Sequence, residues 1–275
     1  MSERIRFEEP AFSLKDSPEQ KGKRAVITKR TPSKPPVSFE KKFWRFWSNV
    51  LDRIMLIFCL LFLFLGSYAL IDTYNVYYHA QDKSVLKYKP KLLDDGTVES
   101  PQETISGNVA WITIPNTKVD YPIMQGEDNT EYLNKAPDGS FELSGSIFLD
   151  SRNAPDFSDP YSLVYGHHME NDVMFGALDK YLSEDYFHSH QTGTLIVGSK
   201  AYTLTFFASK TESARDQYLF NPENTTYADA MREIRNGVGV FDLSVSTEGK
   251  RILALSTCKS YLSDDRTMVF AVIEG

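Results

Sequence analysis

Ile252-Leu253-Ala254-Leu255-Ser256-Thr257-Cys258 and, after seven intervening residues, Arg266-Thr267-Met268-Val269-Phe270-Ala271-Val272-Ile273 are two runs of strand length, apolar on consecutive positions. A strand shows one set of side chains to each face, so a run with both sets apolar belongs in the middle of a sheet. If the two runs pair antiparallel through the intervening loop, Cys258 and Arg266 come to the same edge of that sheet.

Working outward, the apolar pattern keeps a period of two in Val109–Ile114, Ser146–Leu149, Ser162–Tyr165, Thr194–Val197 and Tyr202–Phe206. Seven or more short strands separated by Gly, Pro, Asn and Asp predict a mainly β domain, largely antiparallel and closed as a barrel or a sandwich. Two patches follow helical spacing instead: Val173–Leu182, and Thr226–Asn236 with Ala228, Met231 and Ile234.

Upstream, Ile54–Ile71 is an uncharged run of 18 residues rich in Leu, Phe and Ile. As a helix it would extend ~27 Å, close to the thickness of a bilayer core. Residues 1–53 carry 13 Lys and Arg against seven acids, and the remaining residues 17 against 30. Basic flanks stay on the cytoplasmic side, which predicts a single-pass protein with its N-terminus inside and the β domain outside. Phe43, Trp44, Phe46 and Trp47 before the run, and Tyr68, Tyr74, Tyr77 and Tyr78 at its other end, fit the aromatic belts of both interfaces. A cleaved signal peptide, for which Ser67-Tyr68-Ala69 supplies small residues, and a buried core helix are the alternatives. The expected organisation is a basic disordered tail over 1–53, a span over 54–71, a stalk over 72–99 ended by the Asp94-Asp95-Gly96 turn, and a globular domain over 100–275.

The acidic balance outside leaves no basic stripe for nucleic-acid phosphates, and no Cys/His set has the spacing of structural zinc. The chain has two cysteines. Cys59 lies inside the apolar run, so Cys258 is a lone thiol in the exported part, where unpaired cysteines are uncommon unless kept for reactivity or intermolecular pairing. A guanidinium holds its proton at neutral pH and can favour a thiolate or support an oxyanion. His167, in Tyr165-Gly166-His167-His168-Met169 after the strand Ser162–Tyr165, can exchange a proton with a thiol or an amine. Gly166 is read as permitting an unusual turn that presents the ring. Taken singly, Cys258 has the plainer reading of a buried inert thiol, the two histidines of surface or capping groups, and Arg266 of a solvated charge.

Taken together, Trp111-Ile112-Thr113-Ile114-Pro115, Asp120-Tyr121-Pro122-Ile123-Met124-Gln125, Gly145-Ser146-Ile147-Phe148-Leu149-Asp150, Tyr165-Gly166-His167-His168-Met169 with Met174-Phe175, and Leu255-Ser256-Thr257-Cys258 with Arg266 resemble class B sortases, membrane-anchored cysteine transpeptidases of Gram-positive bacteria. The resemblance covers residues from about 105 to 275. It implies a closed eight-stranded sortase β-barrel with added helices, among them Thr226–Asn236. It also implies that Cys258 attacks the Thr carbonyl of a C-terminal sorting signal, that His167 handles the leaving and incoming amines, and that Arg266 holds the substrate carbonyl or the oxyanion. Ser256 and Thr257 would line the substrate groove.

The implied partners are surface proteins or pilins bearing that signal, a peptidoglycan precursor or pilin lysine as amine acceptor, and membrane lipid around one helix. No metal or organic cofactor is implied. Lys259 and Ser260 stand where some class B members carry an acid, which leaves Asp264 and Asp265 as alternative carboxylates and His168 as an alternative base. A surface cysteine protease, and a non-catalytic membrane-tethered binding module, are the competing readings.

Overall fold

The computed structural model describes residues 38–80, 83–258 and 264–275, the side chains of His79 and Cys258 excepted. The expected tail before residue 38, and Lys259 and Ser260, lie outside that description. One helix, α1 (Phe39–Ala80), runs unbroken through the apolar segment. It is long and apolar enough to cross a membrane. Its Leu, Ile and Phe side chains from Ile54 to Ile71 are exposed, an arrangement suited to hydrocarbon and costly in water. Among the described residues, those up to Leu61 form one unit and those from Phe62 to Gly275 another.

Within the second unit, Ala80 at the end of α1 is buried with Val76 and Tyr77 packed beside it. A 3-10 turn follows at Lys83–Tyr88, and a two-stranded ribbon pairs Lys91–Leu92 with Val98–Glu99. The Asp94-Asp95-Gly96 signal makes the turn of that ribbon, with Asp95 accepting from the Thr97 amide at 2.9 Å and its hydroxyl at 2.6 Å.

The main body contains β1 (Asn108–Thr113), β2 (Asp120–Met124), β3 (Ile147–Leu149), β4 (Tyr161–Gly166), α2 (Glu184–Ser189), β5 (Thr192–Val197), β6 (Lys200–Ser213), α3 (Tyr227–Arg235), β7 (Arg251–Cys258) and β8 (Asp265–Glu274). The hydrogen-bonded order β1-β2-β3-β4-β7-β8-β6-β5 returns to β1 and closes an eight-stranded barrel. Gly239–Phe241 adds a short strand outside the ring on β6. Six pairings are antiparallel; β2 with β3 and β4 with β7 are parallel.

Strand β2 contains Pro122, which cannot donate to a ladder. It is tolerated because the ladder with β3 begins only at Ile123. The strand expected from Tyr202–Phe206 runs on to Ser213 through a polar half that α3 and β8 cover.

Both faces of β7 are buried, as its sequence demands. One set, with Leu253 and Leu255, fills the barrel beside Ile112, Phe206, Val269 and Ala271. The other, with Ile252 and Ala254, meets α3 through Ala230, Met231 and Ile234. Thr226 caps α3 by accepting from the Asp229 amide at 3.1 Å, while its hydroxyl donates to the Asp229 carboxylate at 2.7 Å. At the other end the buried Lys210 of β6 donates to the carbonyls of Glu233 (3.0 Å) and Asn236 (2.6 Å) and pairs with Glu212 at 2.7 Å. That ammonium occupies the negative end of the helix dipole.

Candidate active site

The β7–β8 ladder places Cys258 directly opposite Arg266. On the other side of β7 the parallel ladder with β4 ends at Thr257 against Gly166, so His167 is one step beyond the last registered pair, beside position 258. Cys258, Arg266 and the sequence-distant His167 therefore converge at one end of three adjacent strands.

Gly166 has a different reason from the one its sequence suggested. It is an ordinary strand residue without a left-handed φ, and a Cβ there would lie 2.4 Å from Ile147 Cδ1 and 2.6 Å from Phe175 Cδ2. The glycine lets β4 pass close to those two side chains.

An open cleft of about 350 Å³ adjoins these positions, lined by His167, Arg266, Ser256, Thr257, Tyr165 and Phe220 among others. Ser256 and Thr257 are each 1% exposed, and among the described residues their hydroxyls have no hydrogen-bond partner. Buried hydroxyls ordinarily find one, so two orphans on a cleft wall suit a polar ligand.

His167 Nε2 lies 2.8 Å from the carbonyl oxygen of Leu133. A carbonyl can only accept, so this nitrogen carries the hydrogen and, in the neutral ring, Nδ1 keeps the lone pair. His168 turns to Asp179, with Nε2 3.0 Å from Oδ2. Of the carboxylates expected to assist, Asp264 is exposed and pairs with Arg215 at 2.5 Å, and Asp265 is exposed at the start of β8 opposite Ser213.

The floor of the cleft is a polar network that sequence reasoning did not isolate. Asp150 is fully buried and receives Arg152 through Nε and Nη2, both at 2.8 Å, together with the Tyr165 hydroxyl at 3.0 Å and Asn129 at 2.9 Å. Burial pushes the Asp150 carboxyl upward. The hydrogen bonds and charge of Arg152, with Tyr165, outweigh it and leave the group below the usual carboxylate range.

The far end of Arg152 donates to Phe220 O (2.9 Å) and Asn221 Oδ1 (3.0 Å), which fixes the Asp216–Asn224 loop beside the cleft. Asp216 accepts from the amides of Tyr218 and Leu219 and shapes the same loop from within. The Asp-x-Arg spacing at 150 and 152 was the available signal, since an acid that opens a turn accepts from the amide two residues on and so brings that residue's side chain back to it.

The sortase domain family matches residues 112–274. Among curated relatives, Sortase B of Listeria monocytogenes is 37% identical over 154 residues, 54% of this chain and 62% of that protein. Sortase B of Staphylococcus aureus is 28% identical over 177 residues, 63% of this chain and 72% of that one. The chain thus spans less than two thirds of the Listeria protein's length.

A solved Streptococcus pyogenes class B sortase involved in pilus biogenesis superposes with a TM-score of 0.56 and 37% identity, over 62% of this chain and 93% of that one. A Staphylococcus aureus sortase B–substrate complex does so with a TM-score of 0.54 and 29% identity, over 61% and 79%. A barrel of this topology with a thiol, an imidazole and a guanidinium position at one strand edge defines a class, and the match agrees: this chain belongs to the sortase family. Its relatives within that family are of class B.

Proposed function

We propose that the protein is a membrane-anchored cysteine transpeptidase that joins proteins bearing a C-terminal sorting signal to an amine. The observation that carries this is the convergence of Cys258, Arg266 and His167 on adjacent strand positions at the mouth of a cleft with unsatisfied buried hydroxyls.

In this reading the Cys258 thiolate attacks the carbonyl carbon of the signal's Thr. The tetrahedral oxyanion is held by the Arg266 guanidinium, and the peptide bond after Thr breaks as His167 protonates the leaving nitrogen. The thioester is then attacked by an acceptor amine, whose proton passes to His167. With Nε2 engaged by Leu133, the proton travels through Nδ1. Ser256 and Thr257 offer their hydroxyls to the bound peptide.

The acceptor is an amine of a peptidoglycan precursor or a pilin lysine, and the structural neighbour involved in pilus biogenesis supports keeping the latter. By this assignment residues 1–53 are a cytoplasmic tail, 54–71 the span, 72–99 the lead-in and 100–275 the extracellular catalytic domain, an orientation supported by the basic flank before α1.

The test is incubation of the full chain in detergent with a panel of sorting-signal peptides, with and without triglycine, followed by mass spectrometry of products and protein. An amine-dependent ligation product and a thioester on Cys258, both lost in Cys258→Ala, establish the reading. Cleavage to free acid regardless of amine establishes a protease instead. No adduct with any peptide refutes both.

A further inference from the structure

Behind His167 the chain makes a loop, residues 167–175, that returns upon itself: the Phe175 amide donates to His167 O at 3.0 Å, and His168 bridges to Met174. Three of its residues without the freedom of glycine have left-handed backbones, Asn171 at φ 59°, Asp172 at 63° and Met174 at 52°. Asn and Asp tolerate this region, whereas Met174 does so only under constraint. A segment of this kind relaxes unless the surroundings hold it.

The hold comes from the 3-10 turn Gly176–Leu182. Asp179 on that turn takes His168 through Oδ2 at 3.0 Å and the hydroxyl of Thr267 through Oδ1 at 2.5 Å. Lys180, the next residue, pairs with Asp172 of the loop at 2.5 Å. Thr267 is fully buried, and it stands between Arg266 and Met268 on β8, opposite Thr257 of β7. One carboxylate therefore spans from the neighbour of His167 to the neighbour of Arg266.

We propose that Asp179 is a positioning residue for the catalytic histidine. By gripping His168 on one side and Thr267 on the other, it fixes the loop that carries His167 at a set distance from the strand that carries Arg266. This rests on the transpeptidase reading of the site. Asp179 touches neither substrate nor the reacting atoms. Its effect is mechanical, through the backbone shared by His167 and His168, so it acts on the chemical step and not on peptide binding.

The experiment compares the full chain in detergent with Asp179→Leu, Asp179→Asn and Thr267→Val. The amide of Asp179→Asn still offers an acceptor to Thr267, and Thr267→Val removes a single hydroxyl with little change of volume. Steady-state ligation of a sorting peptide to triglycine is read together with a two-bond 15N–1H correlation of the His167 ring.

Asp179→Leu is expected to lower kcat about tenfold with KM within about twofold, and Thr267→Val to lower it less, in line with the cost of small misplacements. Asp179→Asn should recover most of the loss. The ring of the parent protein should show one tautomer, protonated at Nε2, which gives way to an averaged signal in Asp179→Leu. A folded Asp179→Leu variant with parental kcat, or one whose loss lies in KM alone, overturns the proposal. If the parent forms no thioester with any peptide, the functional reading fails. The ring spectra then decide the tie alone: a signal unchanged between parent and Asp179→Leu overturns it, and an averaged one sustains it.

Discussion

His167 donates from Nε2 to the carbonyl oxygen of Leu133 across 2.8 Å, which ties an imidazole on β4's exit to a loop between β2 and β3. The same oxygen is crowded from behind by Gly145, where a Cβ would lie 2.4 Å from it and where the backbone has φ +59°. Gly145→Ala must therefore displace the carbonyl that orients the ring and also strain its own backbone. We expect about a tenfold fall in kcat, from misaligned proton transfer, with some loss of stability. Peptide-ligation kinetics alongside thermal unfolding check this; an Ala variant with parental kcat would show that the Leu133 contact does not orient His167.

Arg266→Lys keeps the charge opposite Cys258 but replaces a planar fork with a single ammonium. If the guanidinium supports the oxyanion through directed hydrogen bonds, ligation should drop about 10²-fold or more, with little change in stability. Near-parental turnover in single-turnover thioester assays would mean that Arg266 contributes only its field.

Acid stability should report on Asp150. Its carboxyl is held below the usual range by Arg152, despite burial, so its contribution to folding is complete above the unfolded carboxylate value of about 4. That contribution is lost as pH falls through the lower folded value. Asp150→Asn should cost about 1–2 kcal/mol at pH 7, because the buried position loses the charge that accepts from Arg152, Tyr165 and Asn129, while Arg152 itself is exposed and partly screened. The penalty should shrink in acid, so the curves of parent and variant converge below about pH 4. Denaturant titrations at pH 7 and pH 3 measure both; parallel curves would sink the assignment.

Lys210 supplies donors to two carbonyls at the end of α3 and a counter-charge to Glu212. Lys210→Met keeps the aliphatic stem and removes all three, leaving acceptors and a carboxylate unanswered in a buried place. The expected cost is about 2–4 kcal/mol, read as a lower denaturation midpoint with an unchanged slope. A loss under about 0.5 kcal/mol would mean that water takes over the ammonium's role.

Strands whose apolar residues alternate or run on were legible directly, β7 and β8 above all, and so were the long apolar helix and α3. The strand β2 was not picked out by periodicity because Pro122 reads as a breaker, and only the late start of the β3 ladder makes it harmless. The two parallel pairings were hidden because register between distant segments leaves no local trace. Around the site, Cys258, Arg266, His167, Ser256 and Thr257 were marked by chemistry at strand ends and by the sortase pattern. Asp179 was not, since an acid on a short turn has nothing in its flanks to say that it will reach both His168 and Thr267. The Asp264 and Asp265 carboxylates were attractive by proximity in sequence alone, and space assigns Asp264 to Arg215 instead.

The parallel ladder of β4 and β7 also orders events during synthesis. A chain made from its N-terminus has His167 long before Cys258, and β7 has no partner on its second side until β8 follows, which in turn closes the ring on β6. Pairings so distant in sequence form late. An unfinished or truncated chain thus owns a thiol without an imidazole at its side or a guanidinium across from it. In the proposed reading, the site is complete only once the strand that carries Arg266 has paired beside Cys258.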